Sequence, residues 1–457
     1  MIAKEQLIEE YTEHSQDDFE KSLDGALAQG HLAYAKQIID GAHIADLADF
    51  LDRTTIQQKE KILNLVSKQQ LCQLIIELDV TVIPRIIEMI GYQKAAEVIN
   101  DIDIDEAIYV LDSLEDELNK FILDHLKPSK RKEIAEGLSY PEDSAGRLMQ
   151  RKFISVPEYW TIGQTIDYLQ HKQECPEIFY EIFVTDPKFS PIGSVPLSVL
   201  VVSKRETIIN SVMRHDIKPV KTDLEEEEVS YLFKKYGFVN VPVVNKHNRL
   251  VGVITLGDAF DVIDKHAEEN LMHMGGVQED DVHLSVIEVI KSRFPWLLIS
   301  LLATIMCSLV VNFFHNTIQQ AVILSAIMPI VAGISGNAGT QTMTVTVLSL
   351  SSKELTAINI TRVIMKQIIS CSCNGLVLAI LGGLILGALY HNTLLSFIFG
   401  MAVTINFALA GFLGSVIPII LNRAGFDPAV ASPVFITTLT DMLSFAIFLS
   451  LASILLI

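Results

Sequence analysis

Asp441 stands alone as an acid inside a long apolar stretch of this 457-residue chain, 441 − 427 = 14 residues beyond Asp427. On a helix that separation is about 21 Å. A carboxylate at such depth in hydrocarbon costs several kcal/mol unless it faces water, a cation or a hydrogen-bonding partner. Thr437, Thr438 and Thr440 add hydroxyl oxygens nearby, a donor set suited to a hard cation that keeps its water shell. The alternative is a protonated or hydrogen-bonded packing residue. A second polar run, Pro329 to Gln341, carries Pro329, Gly333, Gly336 and Gly339 at close spacing, together with Asn337, Thr340 and Gln341. Proline and glycine weaken a helix and free backbone carbonyls, so broken backbone is predicted here. At membrane depth such backbone is tolerated only when buried in protein or lining a cavity. Close helix packing would account for the glycines but not for the amides and hydroxyls. A third group, Asp258, Asp261, Asp264 and Glu268, follows spacings of three, three and four, with Glu269 alongside. These acids share one face of a helix that leads through Gly275-Gly276. Like charges so placed destabilise by about 0.2–0.5 kcal/mol each unless neutralised, and spacing alone reads as a solvated acidic face.

The charge balance separates the elements that must hold these groups. The net charge is −20 although half the residues are hydrophobic. From Pro295 onward the charged residues are Lys353, Glu354, Arg362, Lys366, Arg423, Asp427 and Asp441, which leaves a net −21 before Pro295. An acidic, water-soluble part therefore precedes a nearly uncharged apolar part. That excludes an ordinary soluble enzyme, and it argues against nucleic acid as a partner. Cys72, Cys175, Cys307, Cys371 and Cys373 have no regular spacing and suggest neither a disulfide framework nor a zinc site. The start, Met1 to Gln6, lacks the apolar core of a signal peptide, so about the first 290 residues are expected to stay in the cytoplasm.

Five stretches reach the length of about 20 apolar residues needed to cross a bilayer: Trp296–Phe314, Ile318–Leu348, Ile364–Leu389, Leu394–Leu421 and Val430–Ile457. Loop two (Ser349 to Lys366) holds Lys353, Arg362 and Lys366, and loop four (Asn422 to Asp427) holds Arg423. Loops one (His315 to Thr317) and three (Tyr390 to Thr393) hold no lysine or arginine. The positive-inside rule then places the N-terminus inside and the C-terminus outside. Lys291 and Arg293 ahead of the first span agree, and Trp296 suits an interfacial anchor. Upstream, residues to about 137 show only helical periodicity, with acid-rich turns recurring about every 25 residues, as in stacked helix hairpins. After Tyr140-Pro141, short strands alternate with single helices, and this α/β order occurs twice. The strands expected are Phe153–Val156, Ile182–Val184, Lys218–Lys221, Val239–Val244 and Leu250–Ile254, whereas Leu197–Val202 suits strand or helix equally.

The second α/β copy resembles a CBS domain in Val241-Pro242-Val243-Val244, Leu250-Val251-Gly252-Val253-Ile254-Thr255 and Asp258. The first copy, Ile192-Gly193-Ser194-Val195-Pro196-Leu197, keeps the glycine but gains a proline, so its strand should be short or at an edge. Paired CBS units of this kind sense small ligands, often adenine nucleotides, and regulate rather than catalyse; the resemblance thus implies a regulatory module, with ATP as an open candidate ligand.

Over nearly its whole length the chain resembles the MgtE family of magnesium channels. The resemblance is carried by Tyr140-Pro141-Glu142-Asp143-Ser144-Ala145-Gly146-Arg147-Leu148-Met149, by Gly336 to Gln341, by Asp427-Pro428-Ala429 with Thr438 to Asp441, and by Ala42 to Ala48, where Ile44 replaces the usual proline. It implies a multi-domain membrane protein that is not an enzyme, with an N-terminal all-α helical-hairpin superhelix, tandem CBS α/β domains and a C-terminal bundle of five transmembrane helices. The boundaries expected are 1–137, 138–203, 204–265, 266–293 for a connecting, plug-like helix, and 294–457. The resemblance further implies a homodimer in the inner cell membrane, with a pore from the second and fifth spans. Asp441 would select hydrated Mg2+, Asp427 would lie at the cytoplasmic mouth, and Asn337 would belong to the pore. Asp258, Asp261, Glu268 and Glu269 would bind regulatory Mg2+, with Asp101, Asp103, Asp105 and Glu106 as candidate partners. Two other readings fit the residues: a membrane-anchored CBS sensor that conducts nothing, and a divalent-cation exporter for Mn2+ or Co2+. The chain departs from the family's pattern at Pro433-Val434 in the fifth span, and at His266 and Asn270, where more acid would be expected.

Overall fold

The computed structural model describes residues 18–456 apart from 173, 174, 177, 276, 278–285 and 357. The chain divides into two compact units, Met1–Asp264 and Lys265–Ile457. The first begins with short helices: α1 (residues 18–28), α2 (Leu32–Gly41), α3 (Ile44–Arg53), α4 (Ile56–Leu65), α5 (Lys68–Glu77), α6 (Ile83–Ile90), α7 (Tyr92–Asp101), α8 (Ile104–Asp112), α9 (Asp116–His125) and α10 (Pro128–Leu138). Their shortness is written in their ends. Thr55 with Gln58, Ser67 with Gln70 and Asp103 with Glu106 form reciprocal capping boxes that start α4, α5 and α8, satisfying first-turn N–H groups. Isolated helices of this length are marginal in water, so stacking must hold them. From α3 to α9 the odd-numbered helices start at 44, 68, 92 and 116, every 68 − 44 = 24 residues. Each packs on the next odd helix, burying Leu47, Leu51, Leu71, Leu74, Ile75, Val98 and Ile99 in one continuous core.

The junction motif ties this superhelix to the α/β region. The N–H of Ala145 donates to the Leu224 carbonyl (2.7 Å) and that of Gly146 to the Thr222 carbonyl (2.9 Å), opening α11 (Ala145–Leu148). A Cβ on Gly146 would lie 2.7 Å from the Tyr140 ring and 2.9 Å from the Thr222 carbonyl oxygen, so only glycine fits. Arg147 reaches back to Asp112 at 2.9 Å. Two three-stranded sheets of identical topology follow. β1 (Ser155–Pro157) is parallel to β2 (Glu181–Thr185), which is antiparallel to β3 (Pro191–Pro196). β4 (Val220–Lys221) is parallel to β5 (Asn240–Val244), which is antiparallel to β6 (Leu250–Thr255). The helices are α12 (Ile162–His171), α13 (Leu197–Val202), α14 (Ile209–Val212), α15 (Glu226–Tyr236) and α16 (Leu256–Met274).

Within this region the ambiguous run Leu197–Val202 is helical, because Pro196 ends β3 and supplies no donor to extend the ladder. β3 lies at the sheet edge, as its prolines require, yet runs its full six residues. β1 starts at Ser155, two residues later than the expected Phe153. β5 tolerates a central proline because its pairing with β4 begins only at Val243, one residue past Pro242.

The second unit holds five helices long and apolar enough to cross a membrane. They are α17 (Val286–Phe313), α19 (Ile323–Ser351), α20 (Ile360–Tyr390), α21 (Thr393–Arg423) and α22 (Pro428–Leu455), with a short α18 (His315–Gln320) after α17. α21 is the hub and packs on α19, α20 and α22, while α19 and α22 also pack on each other. The expected break in the second span is overturned: α19 is one continuous helix through Pro329 and all three glycines. Pro329 is the seventh residue of α19 and removes only the one backbone hydrogen bond it would have donated to the Ser325 carbonyl. The hydroxyls of Ser335, Thr340, Thr342, Thr344 and Thr346 each donate to the carbonyl four residues back. None of the three glycines breaks the helix; Gly339 and, more loosely, Gly336 face α22, whereas Gly333 faces open space. This span begins at Ile323, not Ile318, since the expected first loop is the helix α18. Part of the connecting segment expected at 266–293, including Gly276 of the Gly275-Gly276 turn, lies outside the described residues.

These contacts predict opposite effects for two glycines. A Cβ at Gly414 would stand 2.6 Å from the Gly339 carbonyl oxygen and 2.8 Å from Thr342 Cβ, whereas one at Gly333 meets nothing within 4 Å. Gly414→Ala must push α19 and α21 apart and should cost about 1–3 kcal/mol. Gly333→Ala should be neutral or stabilising by up to about 1 kcal/mol. Thermal unfolding of the detergent-solubilised protein should show a lowered Tm for the first variant only.

Candidate functional site

In the second unit Asp441 lies on α22 against the bare backbone of α19. A Cβ built on Gly336 would come within 3.8 Å of Asp441 Oδ1 and 4.0 Å of Thr440 Oγ1, so a larger residue there would take the carboxylate's space. Asp441 is half-buried, Thr437 exposed and Thr440 buried. The threonine hydroxyls give their protons to the helix. Thr437 donates to the Pro433 carbonyl (2.9 Å), Thr438 to Val434 (2.6 Å) and Thr440 to Ile436 (2.7 Å). The oxygens keep their lone pairs, and that of the exposed Thr437 suits the donor hydrogens of a hydrated cation. Pro433 fits this scheme, because α22 continues through it and Thr437 caps its carbonyl.

The face of α19 next to Gly336 is polar and open: Gly333, Asn337, Thr340, Gln341 and Thr344 are all exposed. This helix has the lowest mean hydropathy of the five spans, 1.4. An exposed ladder of amides and hydroxyls cannot face lipid tails without cost; it needs water or another protein surface. Asn337 and Asp441 thus lie on helices that pack directly on each other.

Asp427 has a different setting. It caps α22, with Oδ1 accepting from the Ala429 N–H at 2.7 Å. Its Oδ2 lies 3.0 Å from Nδ1 of His273 near the end of α16, and the next residue, Met274, packs against Met343, Val347, Ala429 and Ile436. The expected mouth acid is therefore already engaged by two protein groups. His273 was missed by sequence reasoning, since nothing local marks a histidine 154 residues from its partner.

In the first unit Asp258 also holds a structural post. Its Oδ2 accepts from the backbone N–H and the hydroxyl of Thr255 (2.7 and 2.8 Å), and Oδ1 accepts from Gln150 Nε2 at 3.0 Å. Burial nevertheless pushes its carboxyl above the usual range, against the pull of those donors. Asp105 is pushed up to about 6, by burial first and then by Glu106, Asp103 and Asp258. Burial raises Asp261 too, helped by Asp258, Asp264 and Glu77. Asp105 thus lies within electrostatic reach of three other candidates, Asp103, Glu106 and Asp258, from two sequence-distant segments. Lys152, bonded to Asp103, offsets part of the charge. Asp101 is not in this group, because it pairs with Lys68 at 2.8 Å. Glu77 is an addition that periodicity could not supply. In the second unit's stretch of α16, Glu268 is exposed and Glu269 pairs with His266 at 3.1 Å. Among the described residues no group of three or more His, Cys, Asp or Glu side chains is gathered to hold a metal ion.

A cavity of about 270 Å3 opens between the two sheets, lined by Glu181, Ser194, Arg214, Asp216, Lys218 and Tyr236 among others. The Lys218 ammonium lies 3.3 Å from the Tyr236 ring centre. Arg214 and Lys218 beside the Tyr236 ring suit an anionic, aromatic ligand, and Glu181 and Asp216 could accept hydrogen bonds from its hydroxyl or amino groups.

Asp427 allows a direct test of its two roles. Asp427→Ala should lose the cap and about 1 kcal/mol, while Asp427→Asn, which caps equally well, should keep the wild-type Tm. A wild-type Tm for the alanine variant would show that the cap contributes nothing.

Comparison with known proteins gives three family matches: a divalent cation transporter domain of the MgtE type at residues 328–451, an MgtE intracellular N domain at 42–143 and a CBS domain at 209–265. The magnesium transporter MgtE of Enterococcus faecalis is 30% identical over 321 residues, covering 70% of this chain and 71% of that protein. That of Thermus thermophilus is 27% identical over 444 residues, covering 95% and 98%. A crystal structure of the cytosolic domain of the Mg2+ channel MgtE in complex with ATP matches 53% of this chain and 99% of that one, at 27% identity and a TM-score of 0.50. With a relative at this identity and coverage, and with the helical domain, the CBS sheets and the five spans in place, the chain belongs to the MgtE family of magnesium transporters.

Proposed function

We propose that this protein is a magnesium-selective channel of the inner cell membrane, gated by magnesium on the side of its soluble domains. The observation that carries the reading is Asp441 set against Gly336 beside an open polar face of Asn337, Thr340 and Gln341. One carboxylate per chain balances half the charge of a divalent ion, so two chains around a common axis would supply both charges. A homodimer, with α19 and α22 of each copy lining the pore, also gives the polar face of α19 a non-lipid surface. The lysines and arginines of loops two and four favour a cytoplasmic N-terminus and an external C-terminus. The boundaries 1–137, 138–203, 204–265, 266–293 and 294–457 divide the chain into helical domain, CBS units, connecting helix and pore.

Regulation rests on the acids. Asp103, Asp105, Glu106 and Asp258, together with Asp261, Glu268 and Glu269, supply excess negative charge that Mg2+ would neutralise. Binding would favour the compact, closed form. Swinging such an equilibrium almost completely takes a differential affinity of about four orders of magnitude, ~5.5 kcal/mol, which several weak coupled sites can provide. The contact of His273 and Met274 with the α19–α22 end then belongs to the closed state. The cavity at Arg214, Asp216, Lys218 and Tyr236 would take ATP, with Arg214 and Lys218 toward phosphate and Asp216 toward ribose hydroxyls.

Asp441→Asn keeps the shape of the side chain and removes its charge, so magnesium uptake by liposomes carrying the purified protein should fall to background while the protein stays folded. Undiminished uptake would remove Asp441 from the ion path. The sensor is read by proteolysis. Wild-type soluble domains should become protease-resistant as Mg2+ rises, whereas Asp258→Asn, Asp261→Asn and Glu268→Gln combined should not, the asparagine at 258 preserving the helix cap. Equal protection of both would return these acids to the role of a solvated face.

A further inference from the structure

Three helices of the second unit meet at one level. A Cβ on Gly339 of α19 would stand 3.1 Å from methyl carbons of both Ile436 and Thr440 on α22, and 3.9 Å from Ala410 Cβ on α21. Gly414 of α21 meets Gly339 and Thr342, so α19 and α21 run parallel, and α22 runs against them. Four residues further along each helix, about one turn away, come Ser335, Asn406 and Ser444. All three are buried, at 1%, 2% and 1% exposure. Among the described residues Asn406 has no hydrogen-bond partner for either Oδ1 or Nδ2, nor has Ser444 for Oγ. Ser335 donates to the Val331 carbonyl at 2.7 Å and keeps its lone pairs. Asp441 lies at the same height, beside Gly336.

An unpaired amide in such a core costs more than a leucine of similar shape would, and it stands on the central helix of the bundle. We propose that Asn406, Ser444 and Ser335 form an internal site for one water molecule, and that this bridge makes Asn406 a positioning residue for Asp441. The site offers an amide oxygen, an NH2 group and two hydroxyls, which together complement a small neutral guest that both donates and accepts. It carries no charge, so it does not suit a metal ion. Bridging α21 to α22 fixes the rotation of α22, and that rotation decides whether Asp441 faces Gly336 or turns into the helix contact. This inference rests on the reading of Asp441 as the ion-binding carboxylate.

The test uses the full-length protein in liposomes and measures magnesium uptake against magnesium concentration, together with Tm. Asn406→Leu removes the polar atoms at nearly constant volume. Groups that orient a metal-binding residue typically cost about 10- to 100-fold in affinity when removed, so the half-saturating Mg2+ concentration should rise about tenfold or more, with Tm unchanged or higher. Asn406→Ser keeps a hydroxyl, leaves room for a second water and should restore most of the affinity. Wild-type half-saturation in Asn406→Leu would overturn the proposal and leave Asn406 a packing residue. Should the leucine variant fail to fold, Ser444→Ala deletes a single oxygen and must raise half-saturation in the same direction; no change there overturns the proposal equally. Asp441→Asn separates the two levels. If it conducts normally, the ion-path reading falls, whereas if it is silent and Asn406→Leu is normal, only the water site falls.

Discussion

A carboxylate cannot rest in hydrocarbon without compensation, and the membrane unit is organised around compensating Asp441. Gly336 lies beside it, the threonines of α22 donate their protons back to the helix, and α19 keeps an open polar face alongside. Close approach around it is made by Gly414, which lets α21 meet the backbone of α19, and by Gly339, which receives the side-chain methyls of Ile436 and Thr440 on α22. Packing and chemistry are therefore the same feature here. An anchor for a cytoplasmic sensor would need neither a carboxylate at membrane depth nor the polar face, which weighs against a non-conducting role. An exporter of another divalent metal would use the same oxygen chemistry, so selectivity rests on how the ion keeps its water.

The soluble part follows a similar logic at lower cost. Acids from the start of α8 and the start of α16 approach one another in one unit, and burial raises Asp105 and Asp258 together. Both positions are helix starts: Glu106 accepts from the Asp103 N–H, and Asp258 accepts from Thr255 and Gln150, donors that favour its charged form. A divalent cation can then act on geometry that is already set. Within the second unit, the contact of His273 with Asp427 and the packing of Met274 at the α19–α22 end bring the end of α16 directly against the membrane helices.

Much of this was legible in the sequence, for physical reasons that differ by element. The five spans, the helical repeat and the two α/β copies follow from apolar length and periodicity, which survive any packing detail. Asp441 announced itself because charge at depth is rare. Three features were hidden. The glycine-rich run read as a break, yet threonine and serine back-bonding together with tight helix contacts keep α19 whole. Asp101 looked equivalent to Asp103, but Lys68, one repeat earlier, takes it. Glu77 and His273 gain their meaning from distant partners, Asp261 and Asp427, and no local pattern carries that information.

The central claim is that magnesium passes through this protein and that magnesium on the side of the soluble domains shuts the path. Flux of Mg2+ into liposomes of fixed protein orientation, measured with and without Mg2+ on the side of the soluble domains, tests both halves at once. The account predicts rapid uptake when that side is free of Mg2+ and a steep decline as Mg2+ is added there. No uptake under either condition, or uptake indifferent to Mg2+ on that side, would contradict it.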